Sequence, residues 1–226
     1  MKKRRESNED LKKRASAILR RLGKIIPEPS TALRHSSPLE MLIATILSAQ
    51  CTDERVNIVT ANLFRDFRTA KDFAQMPQAE LEMRIKSTGF FRAKARNIIK
   101  CCEAIVKEHR GAVPETMEEL TRLAGVGRKT ANVVLGNCFG KTEGIVVDTH
   151  VKRLAGRLGL ARAADPEGIE KELMAIIPRR AWIDVGNLLI WHGRRTCNAR
   201  KPKCTECALS DLCPSAELPS KQLHAR

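Results

Sequence analysis

The chain reads as a mainly α-helical protein, and three observations carry that reading. Apolar residues recur at helical spacing in several stretches, no convincing alternating series marks a sheet, and a Gly-x-Gly turn joins two short helical patterns. In chain order, Pro27-Glu-Pro29 is the only clear early break. Ser37-Pro38 is a start signal with proline near the first helical position, and Leu39, Leu42, Ile43, Ile46 and Leu47 follow on one helical face. Ile98, Cys102, Ile105 and Val106 repeat that pattern, ended by Gly111. Met117, Leu120 and Leu123 mark a short helix, Gly125 to Gly127 the turn, and Thr130, Val133 and Val134 the next helix, a helix-hairpin-helix by pattern. Gly140 to Gly144 is the later break, and Gly144 to Val147 reads as a brief extended piece.

A chain of 226 residues can bury a substantial core as one domain or two small ones. Its 41 Lys and Arg against 26 Asp and Glu leave a formal charge of +15, the electrostatic footprint of a polyanion binder. The charge is clustered: residues 1–25 hold ten Lys or Arg against three acids, and residues 192–203 hold five against none. Clustering favours nucleic acid as partner over a surface kept basic for solubility. The run Lys2-Lys-Arg-Arg5 leads into charged residues rather than an apolar stretch, so it does not read as a secretory signal, and no apolar run reaches the roughly 18–20 residues needed to span a bilayer. The expectation is a soluble, cytoplasmic protein with no membrane association.

Of eight cysteines, four fall in the pattern Cys197-x6-Cys204-x2-Cys207-x5-Cys213. Clustering without a secretory signal points to ligation of a metal or cluster over disulfides. Four thiolates suit tetrahedral zinc or the irons of a cubane, and the spacing alone leaves both open. Cys51, Cys101, Cys102 and Cys138 lie in apolar or helical patterns and read as inert core thiols.

Two segments carry the chemistry. Leu123-Ala-Gly-Val-Gly-Arg-Lys-Thr-Ala131 turns on glycines into a helix, so that several backbone N–H groups can face a phosphate, and it carries Lys129. Val146-Val-Asp-Thr-His150 brings Asp148. An amine nucleophile and a carboxylate brought into one cleft suggest covalent chemistry on something phosphorylated; a solvated helix lysine and a helix N-cap are the plainer readings.

These segments, with Leu47-Ser-Ala-Gln-Cys-Thr-Asp53, Thr88-Gly-Phe-Phe-Arg-Ala-Lys-Ala95 and the cysteine loop, resemble the helix-hairpin-helix glycosylases, and most closely the endonuclease III family, over about residues 40–213 and in the family's order. The resemblance implies a two-domain helical fold, with an inner domain at 31–141 inserted into an outer domain of 1–30 and 142–226 that carries a [4Fe–4S] cluster loop at 197–213. Substrate would sit in the cleft between the two. Cys197, Cys204, Cys207 and Cys213 would ligate the cluster, and Arg200, Lys201 and Lys203 would form a basic finger for phosphates. Lys129 would be the nucleophile and Asp148 the carboxylate that stabilises positive charge and shuttles protons. Free lysine is protonated at neutral pH, so the site must favour the neutral amine, with partial burial and adjacent Arg128 as the means. Gln50 would pair with the widowed base and Phe90, or Phe91 with it, would wedge into the stack. Backbone amides of Gly125, Val126 and Gly127 would clamp a phosphate, with Arg128 beside them. Ala124 stands where the family often has proline, and Phe90 where it commonly has a smaller aliphatic residue. His150 and His192 read as packing or phosphate contacts.

The implied activity is a bifunctional DNA glycosylase and abasic-site lyase that removes oxidised pyrimidines from double-stranded DNA and nicks the strand by β-elimination, acting as a monomer. Rival readings are an adenine-mismatch or pyrimidine-dimer glycosylase of the same superfamily and a non-catalytic, cluster-containing DNA-binding protein. The first rival usually lacks a lysine at this turn, and the last would not need both Lys129 and Asp148.

Overall fold

The computed structural model describes residues 6–217; the basic run Lys2 to Arg5 lies outside them. Every regular element among the described residues is helical, and they divide into two compact units, one made of Thr31–Glu143 and one of the segments on either side.

Local sequence sets the ends of each helix. In the unit of flanking segments, α1 (Asn8–Ile25) starts at Ser7, whose hydroxyl accepts from Asp10 N, and buries Ala15, Ile18 and Leu22 along one face. In the middle unit α2 (Pro38–Leu47) starts where expected, with Ser37 as N-cap and Pro38 in the first turn, and almost all of it is buried. Next come α3 (Asp53–Asp66), capped by Thr52, and α4 (Ala70–Ala74), opened by a capping box between Thr69 and Asp72. They are followed by α5 (Gln78–Ile85), a single 3₁₀ turn at Lys86–Thr88, and α6 (Phe91–Glu108). Ile98, Cys102 and Ile105 of α6 are buried, but Val106 is 38% exposed. One residue beyond Ile105 is about 100° further round the helix, enough to leave the buried stripe.

The hairpin is formed by α7 (Met117–Arg122) and α8 (Arg128–Phe139), joined through Leu123 to Gly127. Its α8 packs on α2, and Gly140 ends it at φ 64°, a left-handed cap that glycine adopts without penalty. One core runs through this unit, from Leu33 through α2, Phe73, Ile98 and Leu120 to Leu135. Cys101 and Cys102 are inside it, and burial pushes the Cys101 thiol up to about 12, raises Cys102 further, and lifts the half-buried Cys138 to about 11.

The extended piece expected after Gly144 is a loop, since no neighbouring strand is present to pair with it among the described residues. It leads into α9 (Thr149–Arg157), α10 (Pro166–Ile176), capped by Asp165, and α11 (Trp182–Arg195). These pack with α1 around a second core that includes Leu22, Leu154, Leu173 and Leu189 and reaches Leu209 in the cysteine loop.

Candidate functional site

Lys129 lies in the first turn of α8, in the middle unit. Gly127 is the N-cap and offers no side-chain hydrogen bond, while Arg128 and Lys129 follow with no acidic residue in that turn. A helix N-terminus carries about half a positive charge, so each cation there costs about 0.3–1 kcal/mol of local stability. Uncapped amides and two cations at one exposed spot suit an anion better than they suit the free protein. Lys129 is exposed, so the partial burial expected for it is absent from the free protein.

The turn itself narrows the amide clamp. The Val126 N–H donates to Leu123 O at 3.1 Å, and the Val126 side chain is buried. Its amide is therefore committed to the turn, contrary to expectation, which leaves Gly125, Gly127 and the opening amides of α8. Gly125 needs to be glycine twice over: its φ is +77°, and a Cβ there would stand 2.9 Å from Cβ of Asn97 on α6. Gly127 has ordinary backbone angles and open space around it. Its missing side chain leaves room for whatever approaches the amides.

Asp148 is in the other unit, as N-cap of α9, its Oδ1 accepting from Val151 N at 2.8 Å. The capping role is real and fixes the direction of the carboxylate, which remains partly exposed. Arg153 Nη2 sits 3.2 Å from Nδ1 of His150 in the next turn and donates to Gly193 O at 3.1 Å, so His150 belongs to the packing of α9 on α11.

Gln50 and Phe90 share an uncommon backbone. Both are non-glycine residues with positive φ, 53° and 47°, and both are exposed, Phe90 at 67%. An exposed phenylalanine in the left-handed region costs of order 1 kcal/mol or more, and such strain gathers at binding sites. Phe91, by contrast, packs against the core, so of the two it is Phe90 that stands in solvent.

The four clustered cysteines line one cavity of about 310 Å3 with Arg157, His192, Arg200 and Lys203 among its other walls. Among the described residues no three His, Cys, Asp or Glu side chains converge to hold a single ion. Four thiols around one void are a donor set that suits tetrahedral zinc and a cubane cluster alike. Arg157, which sequence reasoning missed, shapes the basic finger: its Nη1 donates to Asn198 O at 2.8 Å and its Nη2 to Ala199 O at 2.7 Å. Lys203 N donates to Thr196 O at 3.0 Å, and Arg200, Lys201 and Lys203 are exposed. The buried His192 stands with Nε2 3.6 Å from Cys207 Sγ.

Residues 43–179 match the family model described as "HhH-GPD superfamily base excision DNA repair protein". Endonuclease III of Synechocystis sp. is 53% identical over 206 residues, which are 91% of this chain and 94% of the relative, and that of Escherichia coli K12 is 44% identical over 88% and 94%. The chain belongs to the endonuclease III family. A solved structure described as a non-covalent endonuclease III–DNA complex superposes with a TM-score of 0.85 at 43% identity, covering 94% of this chain and 98% of that one. A thermostable thymine-DNA glycosylase, 22% identical with a TM-score of 0.79, shares the fold. As an endonuclease III relative, this chain is a DNA glycosylase and lyase of base excision repair. No helix among the described residues is long and apolar enough to cross a membrane.

Proposed function

We propose that this enzyme removes oxidised pyrimidines such as thymine glycol from double-stranded DNA, and then cuts the strand at the abasic site with Lys129 as nucleophile. The observation that carries this reading is the first turn of α8, where an exposed amine stands among amides that no N-cap side chain satisfies, next to a second basic residue, Arg128. Phosphate would bind the amides of Gly125 and Gly127, and desolvation of the amine would come with the duplex. The neutral Nζ attacks C1′ as the base leaves with the bonding pair and takes up a proton, and Asp148 stabilises the developing positive charge at that carbon. The C1′–O4′ bond then breaks, O4′ gaining the proton that the nitrogen gives up, to leave the opened sugar as a Schiff base. The imine acidifies C2′, whose proton is withdrawn as the 3′ phosphate departs, and water releases the lysine.

Gln50 would hydrogen bond to the widowed base and Phe90 would fill the space left in the stack. Cys197, Cys204, Cys207 and Cys213 would hold a [4Fe–4S] cluster, whose part would be structural, since four cysteine ligands would leave no iron open to substrate. Ligation holds Arg200, Lys201 and Lys203 ready for phosphates. On this reading the enzyme works as a monomer in the cytoplasm of a bacterial-type cell. A related solved structure is described as a trapped endonuclease III–DNA covalent intermediate, which supports the Schiff-base step by likeness.

Borohydride trapping on labelled duplexes with thymine glycol or an abasic site tests the proposal. The parent protein should form a covalent adduct on both, and Lys129→Gln on neither while still binding. Base release by the parent without any adduct would overturn the assignment of Lys129.

A further inference from the structure

Lys94 lies where a helix should be apolar. It falls on the stripe of α6 that continues through Ile98, Cys102 and Ile105, and it is only 5% exposed. Burying an ammonium group is costly, and a residue whose task was to fill the core would be apolar. Its Nζ donates to Leu47 O and to Thr88 O, each at 2.8 Å, and burial presses its pKa below the ordinary lysine value. Leu47 is the last residue of α2, and Thr88 ends the 3₁₀ turn that precedes α6. Carbonyls at helix ends lack intrahelical donors and carry the negative end of the dipole, so one cation satisfies both.

Each acceptor lies just ahead of a left-handed residue, Leu47 before Gln50 and Thr88 before Phe90; Arg110, the third non-glycine residue with positive φ among those described, lies elsewhere. The Lys94 backbone N–H also donates to Phe90 O at 3.0 Å. A single side chain therefore bridges the segments that lead into both exposed groups, although 47 residues separate it from Leu47.

We propose that Lys94 is a positioning residue that sets Gln50 and Phe90 at a fixed spacing, so that they enter the damaged duplex together. The inference rests on the reading that those two residues replace the extruded nucleotide. Lys94 touches no DNA on this account; it acts through the two turns. Met in its place would fill the space but leave two carbonyls without a donor and the turns untied.

The test is a mutant cycle in single-turnover excision from a thymine-glycol duplex, comparing Lys94→Met, the pair Gln50→Ala/Phe90→Ala, and all three changes together. Lys94→Met should slow the duplex reaction by roughly 10- to 100-fold, the scale of a 1 Å misplacement. Added to the pair, it should cost no more than about twofold, because coupled residues do not add. Trapping on a single-stranded abasic oligonucleotide, which has no stack to prop open, gives a second readout: the ratio of duplex to single-strand reaction should fall with Lys94→Met. If the alanine pair reacts like the parent, the reading of Gln50 and Phe90 falls and the proposal with it. If the pair is slow but Lys94→Met multiplies its loss, or slows both substrates equally, only the proposal falls. Should Lys94→Met not fold, Lys94→Gln, whose amide is polar enough for the site but one atom too short to reach both carbonyls, carries the same cycle, and failure of both to fold would make Lys94 a holder of the core and overturn the proposal.

Discussion

The middle unit and the unit of flanking segments hold the groups proposed to meet DNA by different physics. Between Thr31 and Glu143 the framework is apolar packing with capped helices, and the exposed groups stand on unusual backbone: Gly125, Gln50 and Phe90 all have positive φ. In the other unit the cysteine loop puts Leu209 into the core with Leu212 against it, and arginines stitch the rest of the loop to the helices, with Arg157 on Asn198 and Ala199, Arg21 on Ala208 and Asp211, and Arg14 on Leu212 O. Guanidinium groups satisfy loop carbonyls but bury little apolar surface. The proposed cluster would complete what those bonds leave open, so one unit should tolerate loss of a ligand and the other should not.

The sharpest way to break this contrast is to remove a ligand. Cys207→Ala should cost several kcal/mol, as loss of a structural metal centre does, and should do so locally. Hydrogen exchange should speed up in α1 and α9–α11 and stay at the parent rate in α2–α8; faster exchange throughout would show the two cores to be one cooperative system. The converse change, Phe73→Ala in the middle core, should cost about 3–5 kcal/mol and leave exchange in the cysteine loop unaltered. A reversed pattern, read from the same peptides, would refute the division of labour.

The two glycines of the hairpin sharpen the comparison within one turn. Gly125→Ala meets both a left-handed φ and Asn97, and should destabilise by about 1–3 kcal/mol in chemical denaturation. Gly127→Ala has room and ordinary angles, so it should change stability by less than about 0.5 kcal/mol while weakening duplex binding. Equal stability losses would show that Gly127 serves the fold rather than the phosphate. Arg200→Ala and Lys203→Ala should each reduce the slope of log affinity against log salt by about 1, with no change in thymine-glycol preference.

The smallest effect is common to both units. Backbone N–H groups of Thr69 and Arg68 hold the Asp72 carboxyl below the usual carboxylate value, and that of Gly168 does the same for Asp165. Because the folded values are depressed, the stabilisation is present above the ordinary carboxylate pKa of about 3.9 and is lost as pH falls through the lower folded value. Asp72→Asn and Asp165→Asn should each flatten the acid limb of a melting-temperature profile below about pH 4.

Much of the frame was legible in the sequence because it is periodic. Ser37-Pro38 and the stripe from Leu39 to Leu47 describe α2 directly, and the glycines between Leu123 and Gly127 mark the hairpin. Val106 was misplaced because a stripe gives the face of a helix but not its edge. The missed features depend on three-dimensional pairing: Val126 uses its amide inside the turn, and Phe90 takes a backbone conformation that a bulky residue seldom adopts. Lys94 did leave a signal, a lone charge in register with Ile98 and Cys102, but only the carbonyls of two other segments give it meaning.

The pairing of Arg21 with Asp211 closes a span of 190 residues, whereas the middle unit is built from much shorter connections. At roughly 5–20 residues per second on the ribosome, α1 waits about 10–40 s for that partner. During that wait Ala15, Ile18 and Leu22 have no α11 to cover them, while α2–α8 can already have folded. The cysteines are among the last parts of their unit to emerge. Assembly thus runs from the middle outward, and the thiols meet a scaffold whose other half is complete.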